Sequence, residues 1–316
     1  MSNIHQLNCA EDRRNVGFGG CVLDWKIIAG AFIFDNPKTF TAAELATLQD
    51  TLQNLAWTDD KPNRVYPVHQ FVNPVDNTEA PTIQTFSDGS KAFVRDGVYD
   101  WSFQFTAGGF SLLKALATHD SNGNTYVVFY DKENKLMGYN NAGLFAAIPM
   151  QIFKALPWKM NTGAAAAEYK IQFVFASNYA NIDSDFVKAS FPLGQITGLK
   201  DIRPIVLSWD AVTGVAEIQF VNETDGANLY DAYSTVFTVG VFTAENEETA
   251  GPITITSVTP NAGSKSFTFQ FDIADPEYPT DGSIEVDFAA PSAIETAGLA
   301  GYEGEPIHLP VIPVGS

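Results

Sequence analysis

The chain has 316 residues, 45% hydrophobic and 13% aromatic, with 18 basic against 37 acidic residues and a net charge of −19. That is ample material for one large β domain or for two domains, and it argues against a nucleic-acid binder, which needs cations to displace condensed counterions. Two cysteines, Cys9 and Cys21, and four histidines, His5, His69, His119 and His308, make no disulfide scaffold and no known zinc spacing.

The charge is unevenly placed. Residues 245–316 hold 12 acidic residues and one basic residue, Lys265, a net −11, which leaves −8 for residues 1–244. Only 17% of residues are charged while Thr, Asn, Ser and Gly are plentiful, a mix that favours β-structure with polar, uncharged surfaces. No stretch approaches 18 apolar residues and the N-terminus lacks an apolar signal region. The expectation is a protein made in the cytoplasm, without membrane insertion.

In chain order, residues 1–24 are polar and glycine-punctuated and read as an N-terminal arm that orders on a neighbour. Residues 25–34 are an apolar, strand-like run. Thr41 caps a helix over 42–57, with Glu44 completing a capping box and Leu45, Leu48, Leu52 and Leu55 forming one apolar stripe. Strands are expected at 64–72, 82–86 and 92–94, around a turn-rich loop at 73–81. Residues 97–139 read as a compact strand, helix, strand, turn, strand unit, built on the aromatic alternation of Trp101, Phe103 and Phe105. Residues 143–158 form an extended strand bent by prolines, 168–177 another strand, and 202–209 pairs with 215–221 across a turn. From 235 onward, alternating runs at 236–242, 253–258, 266–273 and 283–288 suggest a small immunoglobulin-like sandwich. The predicted organisation is an arm over 1–24, a β body over 25–234 and an immunoglobulin-like domain over 235–316. The predicted class is mainly β with one or two short helices.

No catalytic signature emerges, so no catalytic, cofactor-binding or metal-binding residue is assigned and no enzyme activity is expected. Gly17, Gly19 and Gly20 follow no strand and open no helix, unlike a dinucleotide fingerprint. Asp120, Asn122, Asn124 and Asp131 resemble a calcium loop, but Thr125 stands where glycine is needed and Asp131 where a longer Glu belongs. Asp131 and Glu133 read as solvated charges on a turn tip. The five tryptophans, Trp25, Trp57, Trp101, Trp158 and Trp209, are scattered singly and read as core.

The order of elements over 25–200, with W-x-F-x-F, VVFYDKENKLMGY and IQFVFASNYANIDSDF, and with RVYPV followed by PTIQTF, resembles the major tail tube proteins of tailed bacteriophages, especially phages of Bacteroidetes. The resemblance implies a β-barrel or sandwich body whose sheets join side by side into rings, commonly hexamers. The rings stack into a conduit for DNA ejection in the virion tail, assembled in the host cytoplasm. It implies as partners the chain itself, other tail proteins and DNA passing without specific binding, and an added immunoglobulin-like domain outside the tube. The rival readings are another virion component, such as a neck, ring or capsid-decoration protein, and a carbohydrate-binding β protein. Residues 1–24 and 62–89 are expected to contribute subunit contacts. Asp59, Asp60, Asp96, Asp100, Asp131, Glu133, Asp183 and Asp185 are the carboxylates from which a lumen lining would be drawn.

Overall fold

A computed structural model describes residues 5–6, 26–105, 109–121, 123–162, 167–176, 184–223 and 225–311. The chain is mainly β, with five short helices among these residues. It divides into two compact units, Met1–Ala56 with Asp60–Gly198, and Trp57–Asp59 with Leu199–Ser316.

The first unit comprises β1 (His5–Gln6), β2 (Ile28–Phe34), β3 (Thr39–Phe40), α1 (Ala42–Ala46), α2 (Leu48–Ala56), β4 (Val65–His69), β5 (Phe71–Asp76), β6 (Thr82–Thr85), β7 (Lys91–Arg95), β8 (Asp100–Phe105), α3 (Gly109–Ala117), β9 (Thr125–Asp131), β10 (Lys135–Asn141), β11 (Leu144–Ala146), β12 (Ile148–Ala155), β13 (Tyr169–Phe175) and β14 (Ser184–Lys188). Antiparallel pairing runs β4-β2-β9-β12-β13-β8-β5. Strands β4 and β5 are parted only by Gln70, which sits at φ 60. One bent strand therefore borders both ends of the path, and the path closes on itself as a barrel.

Side chains at alternate positions fill the interior: Phe103 and Phe105, Val127 and Phe129, Ile171, Phe173 and Phe175. Phe71 stacks on Phe103 at 4.7 Å and Phe129 on Phe175 at 5.8 Å. The opposite faces of β2 and β9 carry Phe32, Phe34, Val128 and Tyr130, which are buried as well. Phe34 meets Phe40 edge-on at 6.2 Å, and Phe40 meets Phe145 at 5.8 Å. Burial on both faces is why these strands read as near-continuous apolar runs rather than as an alternation.

The capping box is present: Thr41 accepts from the Glu44 N–H, and Glu44 accepts from the Thr41 N–H at 2.7 Å. The predicted single helix is interrupted at Thr47 (φ −117, ψ 39), whose hydroxyl donates to the Ala43 carbonyl. Leu45, Leu48 and Leu52 are buried as the stripe predicts. The 97–139 segment is not a compact unit. Strand β8 lies between β5 and β13, separated from β9 by β12 and β13. The β9–β10 hairpin pairs only through Tyr130↔Leu136 and Phe129↔Met137, because β12 occupies the first half of the same edge of β9.

The second unit holds β15 (Lys200–Asp210), β16 (Val215–Asn222), α4 (Tyr230–Tyr233), β17 (Phe242–Asn246), β18 (Ile255–Asn261), β19 (Ser266–Phe271), β20 (Gly282–Phe288), α5 (Pro291–Thr296), β21 (Tyr302–Gly304) and β22 (Ile307–Val311). Two sheets, β18-β19-β16-β15-β21 and β17-β20-β22, share one core. Ile218, Phe220, Phe267 and Phe269 of the first meet Ala244, Ile284, Val286 and Leu309 of the second.

The expected boundary at 234/235 is therefore displaced to 198/199, because β16 pairs with β19 through Val215↔Gln270 to Ile218↔Phe267. The strand expected at 236–242 is instead a tight turn over Val239–Val241, and β17 begins where the turn ends. Phe237 and Val241 are held inward, Phe237 stacking on Phe220 at 4.9 Å. The new boundary sharpens the charge asymmetry. The second unit holds 19 acidic and 3 basic residues, net −16, and the first holds 18 and 15, net −3.

Candidate functional site

Among the described residues of the first unit, several exposed apolar side chains gather on a hairpin that leaves the barrel. Strands β5 and β8 pair from Phe71↔Phe105 to Asp76↔Trp101. The ladder continues past the barrel through Asn77 N–H to the Asp100 carbonyl (2.8 Å) and Glu79 N–H to the Val98 carbonyl (3.0 Å). Beyond it, among the described residues, β6 and β7 pair only with each other, from Thr82↔Arg95 to Thr85↔Lys91. The tip is closed by Phe86 N–H to the Ser90 carbonyl (2.8 Å), with Gly89 at φ 83, a value that favours glycine. Asp88 accepts from both the N–H and the hydroxyl of Ser90, which holds its carboxyl below the usual range. At about 3.3 Å per residue, the chain from Asp76 to Asp88 reaches up to roughly 40 Å.

This arm carries Ile83, Phe86, Phe93 and Val94 at 57%, 45%, 61% and 55% exposure. Ile83 and Phe93 lie directly opposite each other across the two strands. A two-stranded ribbon is marginal by itself in water, and its two free edges present unpaired backbone groups that template pairing with another chain. The predicted contact region 62–89 is thus split. Val65, Val68 and Phe71 belong to the barrel wall and are buried, whereas the outer part forms half of the arm, with 91–98 as its unforeseen other half. The predicted N-terminal contact arm lies outside the described residues apart from β1, which pairs with β14 through His5↔Lys188 and Gln6↔Val187.

The carboxylates proposed for a lumen mostly have other employment. Asp131 is fully buried, not solvated: it accepts from the N–H groups of Lys26 (3.0 Å), Glu133 (2.8 Å) and Lys135 (2.9 Å), tying the turn together. Asp185 is buried, and Asp100 accepts from the Gln172 amide with both oxygens at 2.9 Å. Asp59 accepts from the Ser292 N–H and hydroxyl within the second unit, and Asp60 accepts from the Asn63 amide. Glu133 is exposed and pairs with Lys135 at 2.9 Å, and Asp96 is exposed. Asp183 lies outside the described residues. Asp120 of the apparent calcium loop is taken by the Lys154 ammonium and the Ala155 N–H. Cys9, Cys21, Trp25, Asn122 and the Gly17–Gly20 stretch also lie outside the described residues.

Of the described tryptophans, only Trp158 is exposed. Trp101 packs edge-on against Phe175 at 4.7 Å, and the Trp209 indole donates to the Pro310 carbonyl at 2.7 Å.

His69 is the pivot of a small network that sequence alone did not indicate. Its Nε2 lies 2.6 Å from the Ile196 carbonyl and its Nδ1 2.5 Å from the Tyr130 hydroxyl. A carbonyl only accepts, so Nε2 carries the proton and Nδ1 accepts from Tyr130. Burial lowers the His69 pKa and raises that of Tyr130. Gly30 makes room for the network, since a Cβ there would fall 2.4 Å from both the Tyr130 hydroxyl and the Val68 carbonyl. Both ring nitrogens being engaged, the network reads as a clamp between the barrel and the 193–196 turn.

No family model matches the chain, and no curated protein or solved structure is significantly similar to it.

Proposed function

We propose that the protein is a virion structural subunit that assembles into stacked rings, the tail tube of a tailed bacteriophage, through which DNA passes without specific binding. The observation that carries this reading is the arm over residues 77–99. It is a long ribbon with two open edges and four exposed apolar side chains, a liability for a solitary monomer and an asset for a subunit that docks on its neighbour. The partner is a second copy of the chain, with other tail proteins at the ends of the tube. The near-neutral barrel unit, at net −3, suits a conduit wall better than the total of −19 suggests. Charge repulsion is screened within about 8–10 Å at cellular salt, so only side chains facing a lumen act on DNA. The acidic second unit, an immunoglobulin-like appendage in this reading, serves solubility or host-surface contact.

The test is negative-stain microscopy and light scattering of the full chain beside a double variant, Ile83→Asp with Phe93→Asp. These side chains take no part in the barrel core, so the variant should keep the parent's circular dichroism and melting temperature while losing stacked rings. A parent that remains monomeric at high concentration, or a variant that forms tubes of normal length, overturns the reading. Rings that never stack would favour a neck or decoration protein, and a monomer that binds glycans would favour a carbohydrate-binding protein.

A further inference from the structure

We infer that Glu247, Glu285 and His308 form a binding site for one first-row divalent cation, with Zn2+ the best match. This inference stands independently of the tail-tube reading, since it concerns only the outer face of the β17-β20-β22 sheet.

The backbone register builds the site. Glu285 on β20 lies directly opposite His308 on β22. Glu247 follows the last residue of β17, and its N–H continues the ladder by donating to the Ser283 carbonyl at 3.2 Å. Alternate residues Ile284, Val286 and Leu309 point into the core, so the three donors project together from the other face. His308 Nδ1 is hydrogen-bonded to Glu247 Oε1 and lies 3.5 Å from Glu285 Oε2. The three donor atoms all lie within 4.8 Å of one another, the one such grouping among the described residues. Zinc bonds of about 2.0–2.2 Å place neighbouring donors of a tetrahedral ion roughly 3.3–3.5 Å apart. The imidazole and Glu285 already have that spacing; Glu247, hydrogen-bonded to the imidazole, would move outward to admit the ion.

Three features separate this site from an ordinary patch of acidic side chains. The first is the imidazole, whose Nδ1 faces both carboxylates. The second is an outer ring of support: the Ser283 hydroxyl donates to the other oxygen of Glu247, Oε2, as the partners of metal-binding carboxylates do. The third is like charge on one face. Glu245 and Glu285 are directly opposite on adjacent strands, an arrangement that destabilises a sheet, and Asp287 stands two residues along the same face. A dication between the three donors would neutralise more of the surrounding charge than the imidazole alone can. Nitrogen and oxygen donors together select zinc or nickel over calcium and magnesium, which prefer oxygen alone.

The experiment is calorimetric titration of the full chain with zinc chloride, in a Cys9→Ser, Cys21→Ser background so that thiolates do not contribute. One zinc per chain at micromolar affinity is expected, weakened at least tenfold by His308→Ala and by Glu285→Gln, with calcium at millimolar concentration not competing. Zinc should also raise the melting temperature of the parent and not that of His308→Ala. Equal zinc affinity in parent and His308→Ala, no uptake at millimolar zinc, or competition by calcium would each overturn the inference.

Discussion

Two sheet margins expose apolar side chains, and they are treated in opposite ways. In the second unit β15, flanked on its outer side only over Lys200 to Ile202 among the described residues, shows Val206 and Leu207 at 41% and 46% exposure. Its edge is blunted: Pro204 removes a donor, a bulge falls between Val206 and Ser208, and β21 covers Lys200 to Ile202. In the first unit the arm has no proline between 82 and 95 and is irregular only at its base, between Thr82 and Ile83. Proline and bulges are the usual defences against edge-to-edge association. In the proposed assembly, the arm's proline-free edge is the one that docks on a neighbouring copy. The charges divide the same way, −16 on the blunted unit and −3 on the unit with the open arm.

The largest effect that could break this comparison is truncation. A chain ending after Gly198 keeps the whole barrel and its arm, and should fold and assemble. A chain ending after residue 234 keeps β15 and β16 but loses β17 to β22, baring Ile218 and Phe220. It should be insoluble. If both truncations are equally soluble, or if the shorter one is unfolded by circular dichroism, the two-unit division is mistaken.

A smaller effect separates buried from exposed carboxylates on one turn. Asp131→Ala strands three N–H groups and should cost about 3 kcal/mol, at roughly 1 kcal/mol for each lost hydrogen bond. Glu133→Ala, two residues on and exposed, should change stability by less than about 0.5 kcal/mol. Urea unfolding checks both, and the loss should fall on the first unit's transition while the second unit's stays in place.

The smallest expected effect is the part of the first unit's pH dependence that is due to His69. Burial depresses the His69 pKa below its ordinary 6.5, so the folded state binds fewer protons than the unfolded state as pH falls below that value. The stability contributed by neutral His69 is complete above about pH 6.5 and is lost progressively as pH falls toward the depressed folded value. Melting curves of the parent and of His69→Gln between pH 7.5 and 5 should diverge in that direction, the variant showing the flatter profile. A first-unit transition that acid stabilises in the parent and not in His69→Gln would contradict the neutral, doubly engaged ring.

Local patterns in the sequence determined a good deal of this protein. The Thr41 and Glu44 capping box, the alternation of Trp101, Phe103 and Phe105, the apolar runs of β2 and β9 and the β15–β16 hairpin are all legible from spacing. Each depends on interactions within a few residues, or on which faces of a segment avoid water. Spacing is silent on which strand lies beside which. Only the tertiary structure decided that β8 neighbours β13 rather than β9, that β15 and β16 join β19 across the expected boundary, and that Asp131 is a buried tie rather than a solvated charge. It alone extended 77–99 away from the barrel as an arm and brought Glu247, Glu285 and His308 onto one face. The physical reason is that a strand's alternation reports how many of its faces are buried, while its partner is chosen by the register in which distant side chains fill a common core.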